Sequence, residues 1–213
     1  MKTIILDFDG TIADTQNVIQ TTIADTLEQL NFPAVDENEI RRVIGLPLWE
    51  MFVKTAGITD DGMIKRCVET YRACFMSHCE GNVHLYPGVA DTLGKLKQSG
   101  MTLAIATSRG RDSLVPMLQS LGIGHLIDMV VAVEDVEHSK PAPDMVLKIL
   151  AATGTAKAET LIVGDTTFDI GMGKSAGCAT CGVTYGNHSR EQLLTASPDY
   201  IADSFSFLEE FLL

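Results

Sequence analysis

Short apolar runs alternate along most of this chain with stretches whose apolar residues recur at helical spacing. The runs Thr3–Phe8, Thr102–Ala106, Met129–Val133, Thr160–Val163 and Thr180–Val183 are brief, mostly apolar and followed by polar or glycine-rich turns. That pattern suits strands buried on both faces. Between them, Val89, Leu93 and Leu96 fall on one helical face after Pro87-Gly88, and Gly100 closes that helix. Leu114, Leu118 and Leu121 form another such stripe, ended by Gly122. The alternation predicts an α/β fold, a parallel sheet with helices on both sides. Right-handed crossovers then bring every strand's C-terminal end to one edge.

The stretch from Thr15 to Val83 breaks the rhythm, with helical patterns and no convincing strand. Val18, Ile19, Ile23, Leu27 and Leu30 make one apolar stripe. Asp36 with Glu39 reads as a capping box for a helix carrying Ile40, Val43 and Ile44. A long helix from about Thr59 to Cys79 follows. The expected organisation is therefore an α/β core made of 1–14 and 84–213, with a helical unit, 15–83, inserted as a lid beside the end of the first strand.

Charge and composition narrow the function. The chain has 213 residues, 46% apolar, and a formal net charge of −12. A nucleic-acid partner is not expected, because polyanion binding needs clustered Lys and Arg. A membrane span needs roughly 20 apolar residues in a row, and no segment approaches that. The start has no signal-peptide pattern, so a cytoplasmic location is expected. Five cysteines, Cys67, Cys74, Cys79, Cys178 and Cys181, are then expected as free thiols. Cys178-Ala179-Thr180-Cys181 has the spacing of a metal or redox half-site, but nothing completes it, so packing is the expected role. The same holds for Cys74, His78 and Cys79.

The candidate chemistry sits at strand ends. Asp7-Phe8-Asp9-Gly10-Thr11 closes the first apolar run, placing two carboxylates where a buried strand meets a glycine turn. Alone, this is an Asp-Gly turn. Further along stand Ala106-Thr107-Ser108, Lys140-Pro141-Ala142-Pro143-Asp144 and Gly164-Asp165-Thr166-Thr167-Phe168-Asp169. In this order the set resembles the haloacid dehalogenase superfamily, and within it the phosphoglycolate-phosphatase-like branch, over nearly the whole chain.

The resemblance implies a Rossmann-like core with a helical cap and a magnesium-dependent phosphatase acting on a small phosphorylated metabolite. Asp7 would be the nucleophile that forms an aspartyl-phosphate, and Asp9 the acid and base. Dehalogenases of the superfamily lack that second acid. Mg2+ would be held by Asp7, the Asp9 backbone carbonyl and Asp165, with Asp169 on a metal-bound water. Thr107, the Ser108 amide, Lys140 and the Gly10 loop would bind the phosphoryl group. Substrate choice would fall to the cap and entrance: Arg41, Arg42, the turn at Gly45, and Arg109. An arginine there can pair bidentately with a carboxylate or second phosphate, although Arg41 and Arg42 also read as a solvated helix face. Inorganic pyrophosphatase, a phosphomutase of the β-phosphoglucomutase type and a non-enzymatic phosphate-binding scaffold are the alternatives.

Overall fold

The computed structural model describes every residue from Met1 to Leu213. Six strands form one parallel sheet: β1 (Thr3–Leu6), β4 (Thr102–Ala106), β5 (Met129–Val131), β6 (Thr160–Gly164), β7 (Ala179–Val183) and β8 (Tyr200–Ala202). Their order is β5-β4-β1-β6-β7-β8. β1 lies between β4 and β6 and is buried at every position, which is why Thr3-Ile4-Ile5-Leu6 shows no polar alternation.

Its side chains still alternate between two cores. Ile4 and Leu6 join the larger, which takes in α5 (Val89–Gln98) and α6 (Arg111–Ser120). Ile5 joins the smaller, covered by α7 (Asp144–Thr153) and α8 (Thr167–Ala176). The predicted stripes lie largely where the spacing puts them: Val89, Leu93 and Leu96 are fully buried in α5, Leu114 and Leu118 are buried in α6, and Leu121, just past the end of α6, is half-buried. Two short helices, α9 (Arg190–Thr195) and α10 (Phe207–Leu212), complete the C-terminal part.

The helical insertion comprises α1 (Gln16–Gln29), α2 (Glu37–Val43), α3 (Leu48–Ala56) and α4 (Asp61–Cys79). The larger core runs unbroken into it, from Leu6, Phe8 and Ile12 to Ile23, Phe52 and Phe75. Where the chain enters and leaves it, β2 (Ala13–Asp14) pairs antiparallel with β3 (His84–Leu85), Ala13 opposite Leu85. These strands are too short for any periodicity to announce them. At α2 the capping box does not form: Asp36 accepts from Asn38 N–H, at i+2, as an Asx turn does. Reciprocal boxes instead stand at Thr166/Asp169 and Ser189/Gln192. No helix is long and apolar enough to cross a membrane.

Candidate active site

β1 and β6 run side by side with Leu6 opposite Val163, and the Asp7 N–H donates to Val163 O at 2.9 Å. Asp7 and Asp165 therefore leave neighbouring strands where the sheet's connections diverge, β1 toward β4 and β6 toward β7. Such a switch point opens a crevice at the strands' carboxyl ends. The first turn of α8 adds Asp169.

Asp7, Asp165 and Asp169 are 4%, 0% and 0% exposed, and their carboxylate oxygens lie within 4.8 Å of one another. Lys140, from the loop before α7, donates to Asp7 Oδ1 and Asp169 Oδ1, each at 2.6 Å. The Lys140–Pro141 bond is cis, and Pro143 already has helical angles as the residue capping α7. Burial alone would strip Lys140 of its proton, but Asp169 and Asp7 reverse the effect and raise its pKa. Burial holds Asp7 well above the usual carboxylate range, against the pull of Lys140 and with a push from Asp169, Asp165 and Asp9. Asp165 is pushed up to about 7 by burial and then by Asp169.

Asp165 is also tightly held. Its Oδ2 accepts the backbone N–H and the side-chain amide of Asn187 at 2.7 and 2.8 Å, and its Oδ1 accepts the Thr11 hydroxyl at 2.9 Å. This leaves no room for side chains nearby. A Cβ on Gly10, whose φ is +85°, would lie 2.2 Å from Asp165 Oδ2, and one on Gly186 would lie 2.4 Å from the same oxygen. Asn187, only 2% exposed, keeps Oδ1 without a hydrogen-bond partner. Oxygen donors alone, three buried carboxylates against one ammonium and an orphaned amide oxygen fit a hard divalent cation.

Thr107, 1% exposed, follows the end of β4 with its N–H bonded to Val131 O. Its hydroxyl accepts from Arg109 N–H at 3.1 Å. The backbone N–H groups of Phe8, Asp9 and Ser108 have no acceptor in the protein. Three free donors, a hydroxyl and an ammonium therefore come from the segments that surround Asp7, which is the donor set an oxyanion needs. The Ser108 hydroxyl is committed elsewhere: it donates to Gly45 O at 2.6 Å and ties the strand end to the cap turn.

The Asp9 carboxylate is held by other partners. It accepts from Arg109 Nη2 at 2.6 Å and Nε at 3.0 Å, and from the Thr15 hydroxyl at 2.7 Å. The Arg109 guanidinium lies over the Phe75 ring, 4.4 Å from its centroid, so the clamp joins core to cap.

The sequence matches the family described as haloacid dehalogenase-like hydrolase over residues 4–183. The chain belongs to that family. It is 37% identical over 206 residues to a Dickeya dadantii (strain 3937) protein named probable phosphatase IndB, covering 95% of this chain and 90% of that one. It is 32% identical over 204 residues to pyrophosphatase PpaX of Halalkalibacterium halodurans, covering 96% and 93%. Its structure superposes on the crystal structure of a predicted phosphoglycolate phosphatase from Haemophilus somnus 129PT with a TM-score of 0.91, at 27% identity, covering 100% of this chain and 98% of that one.

Within this haloacid dehalogenase-like hydrolase the expected core residues Asp7, Asp165, Asp169, Lys140 and Thr107 come together, whereas the expected specificity arginines scatter. Arg41 donates to Asn187 O at 2.8 Å and Gly186 O at 3.0 Å, so it pins the cap to the loop that supports Asp165. Arg42 is exposed and lines a groove with Asp36, Glu39 and Ser189. Neither arginine lines the cavity beside Asp7. Arg109 does line it, with its guanidinium spent on Asp9. Sequence reasoning missed Thr11, Thr15, Arg72 and the Gly186-Asn187 pair. For the last there was a signal: β7 neighbours β6, and Gly186-Asn187-His188 is the polar segment after its end.

The cysteines carry no chemistry in this arrangement. Cys181 lies in the larger core and Cys178 in the smaller, so the pair is split across the sheet. His78 is taken by Asp25 and Thr22, and all five thiols are free.

Proposed function

We propose that the chain is a magnesium-dependent phosphatase that hydrolyses a small phosphomonoester, of phosphoglycolate-like size, through an aspartyl-phosphate on Asp7. The observation that carries this reading is the buried set Asp7, Asp165, Asp169 and Lys140 at the switch point of the sheet. In the reading, a carboxylate oxygen of Asp7 attacks phosphorus, and the bond from phosphorus to the organic oxygen breaks. Asp9 gives that oxygen a proton. A water then attacks the same phosphorus, its proton goes back to Asp9, and the bond to Asp7 breaks to release phosphate. Lys140, the Thr107 hydroxyl and the Ser108 N–H hold the phosphoryl oxygens, and Gly10 leaves space for the approach.

Asp7, Asp165 and the Asp9 carbonyl are the proposed magnesium ligands, with Asp169 beside the ion's hydration shell. The ion would supply the positive charge that a dianionic ester and three carboxylates lack. The helical insertion, 15–83, acts as a cap that excludes water and meets the organic part of the substrate.

The test is phosphate release from a panel of monoesters with magnesium, then with chelator. Activity that chelator abolishes, and that Asp7→Asn lowers by at least about 10³-fold in a folded protein, is the expected result. Undiminished release from Asp7→Asn refutes it. Accumulation of an isomerised sugar phosphate with little free phosphate would favour the mutase alternative instead.

A further inference from the structure

Beside Asp7 and Asp9 lies a cavity of about 200 Å³ between core and cap. Taking a water as about 30 Å³, it holds an organic group of modest size. Its floor includes Thr107 and Ser108, and its cap side is formed by Ile44, Leu46, Leu48, Trp49, Met51 and Val68. Two arginines line it. Arg109 is 7% exposed at its side chain and saturated by Asp9; Arg72, on α4, is exposed and has no carboxylate partner. Lys140 is spent on Asp7 and Asp169, and Arg41 on backbone carbonyls. A second anionic group bound next to the phosphoryl site would therefore meet hydrocarbon walls, two aspartates and, as its only unpaired cation, the exposed and hydrated Arg72 at the rim. Such a group loses its hydration for one solvent-screened pairing, worth at most about 1 kcal/mol at an exposed side chain. An uncharged apolar group would instead gain from burial there. Trp49, half exposed on the same lining, offers a rigid flat face to a ring.

We infer that this cavity selects phosphomonoesters whose alcohol is compact, uncharged and largely apolar, an aromatic or alicyclic alcohol in preference to a hydroxy acid or a second phosphate. The assignment rests on the phosphatase reading and goes beyond it, because the core chemistry is indifferent to the leaving group. Leu48 and Val68 are its specificity-determining walls.

The experiment compares kcat/KM for benzyl phosphate, phosphoglycolate and pyrophosphate, with acetyl phosphate as a small reference that needs no pocket. Benzyl phosphate and phosphoglycolate both release a primary alcohol, so their ratio reports recognition more than intrinsic reactivity. Benzyl phosphate should lead phosphoglycolate and pyrophosphate by at least about ten-fold, the scale of apolar pocket discrimination. Leu48→Arg, which puts a cation in the wall, should narrow or reverse the benzyl-to-phosphoglycolate ratio. Phosphoglycolate or pyrophosphate equal to or better than benzyl phosphate in the unaltered enzyme overturns the inference, and does so whether or not the variant folds. If acetyl phosphate is turned over while benzyl phosphate is not, the inference falls and the phosphatase reading stands. No release from any of the four, with magnesium present, removes both.

Discussion

The carboxyl edge of the sheet and the apolar cavity above it touch the same two aspartates but follow opposite rules. At the edge, nearly every polar atom has an assigned partner: Asp165 accepts three hydrogen bonds and Lys140 bridges two carboxylates. In the cavity the walls are hydrocarbon, and the one buried cation, Arg109, is turned away to Asp9. The edge is anchored by backbone at strand ends, so its geometry is set by the sheet. The cavity's apolar walls come from Ile19 of α1, the loop after α2, α3 and α4, so its shape depends on how the helical insertion packs. Chemistry and selectivity are thus held by different parts of the fold, and each can be perturbed separately.

The largest separation should come from Asp9→Asn. With benzyl phosphate the departing alkoxide needs a proton, and turnover should fall by about 10² to 10⁴-fold. Acetyl phosphate releases a carboxylate that needs none, so its loss in kcat/KM, which excludes the shared hydrolysis of the aspartyl-phosphate, should stay below about ten-fold on the same scale. Values of kcat/KM on both substrates decide the matter, and equal losses in kcat/KM would remove Asp9 from the role of acid. In the present geometry both Asp9 oxygens are occupied, so Asp9 must leave Arg109 before it can reach a leaving oxygen.

That clamp gives the next effect. Arg109 and Asp9 side chains are 7% and 12% exposed, and the guanidinium lies over Phe75. Arg109→Met strands a buried carboxylate and should cost about 3 kcal/mol in denaturant unfolding. Adding Asp9→Asn should return much of it, because the uncharged amide needs no cation. A double variant no more stable than Arg109→Met would mean that the arginine acts through packing alone.

A smaller effect, back at the edge, is the competition between a proton and a cation. Burial and then Asp169 push Asp165 up to about 7 in the fold, against about 4 for an unfolded carboxylate. A folded pKa raised in this way stabilises the metal-free protein fully below the unfolded value, and that stability drains away as pH rises toward 7. A divalent cation needs the same carboxylate deprotonated. Through Asp165 its affinity should therefore climb by up to about ten-fold per pH unit between pH 5 and 7, and Asp7, also raised, adds to that rise. Magnesium titrations followed by thermal shift at pH 5.5, 6.5, 7.5 and 8.5 test this, and an affinity flat from 5.5 to 7 would count against Asp165 as a ligand.

What was readable in the chain follows the same division. Asp7, Thr107 and Asp165 each come directly after an apolar strand, so the strand pattern alone puts them on one edge. Lys140 and Asp169 followed from motif context. The roles of Arg41 and Arg109 were not readable, because their partners lie 146 and 100 residues away: Arg41 meets Asn187 across the boundary of the helical insertion, and Arg109 meets Asp9 from a neighbouring strand end. An arginine in sequence is a cation with no address; whether it faces substrate, a carbonyl or a carboxylate is a tertiary fact. Asn187 was missed for a related reason: its orienting role appears only when Gly186 lets the loop approach Asp165.

The smallest effect should come from the cysteines, which lie under both regions and take part in neither. Cys181 packs with Val163 and Val183 in the larger core, and burial pushes its thiol up to about 12. At pH 8 it is a thiol rather than a thiolate, so the folded protein should leave it unalkylated by iodoacetamide. Cys178 is also buried and its thiol is raised, so it should behave alike. Cys181→Ala removes one sulfur from a closed core and should cost about 1 kcal/mol, as for loss of a methyl-sized group, with phosphate release unchanged. Mass spectrometry of the alkylated protein and a denaturant melt read both quantities. A folded Cys178→Ser variant without activity would contradict the packing role, since nothing at that position touches the carboxylate cluster or the cavity wall.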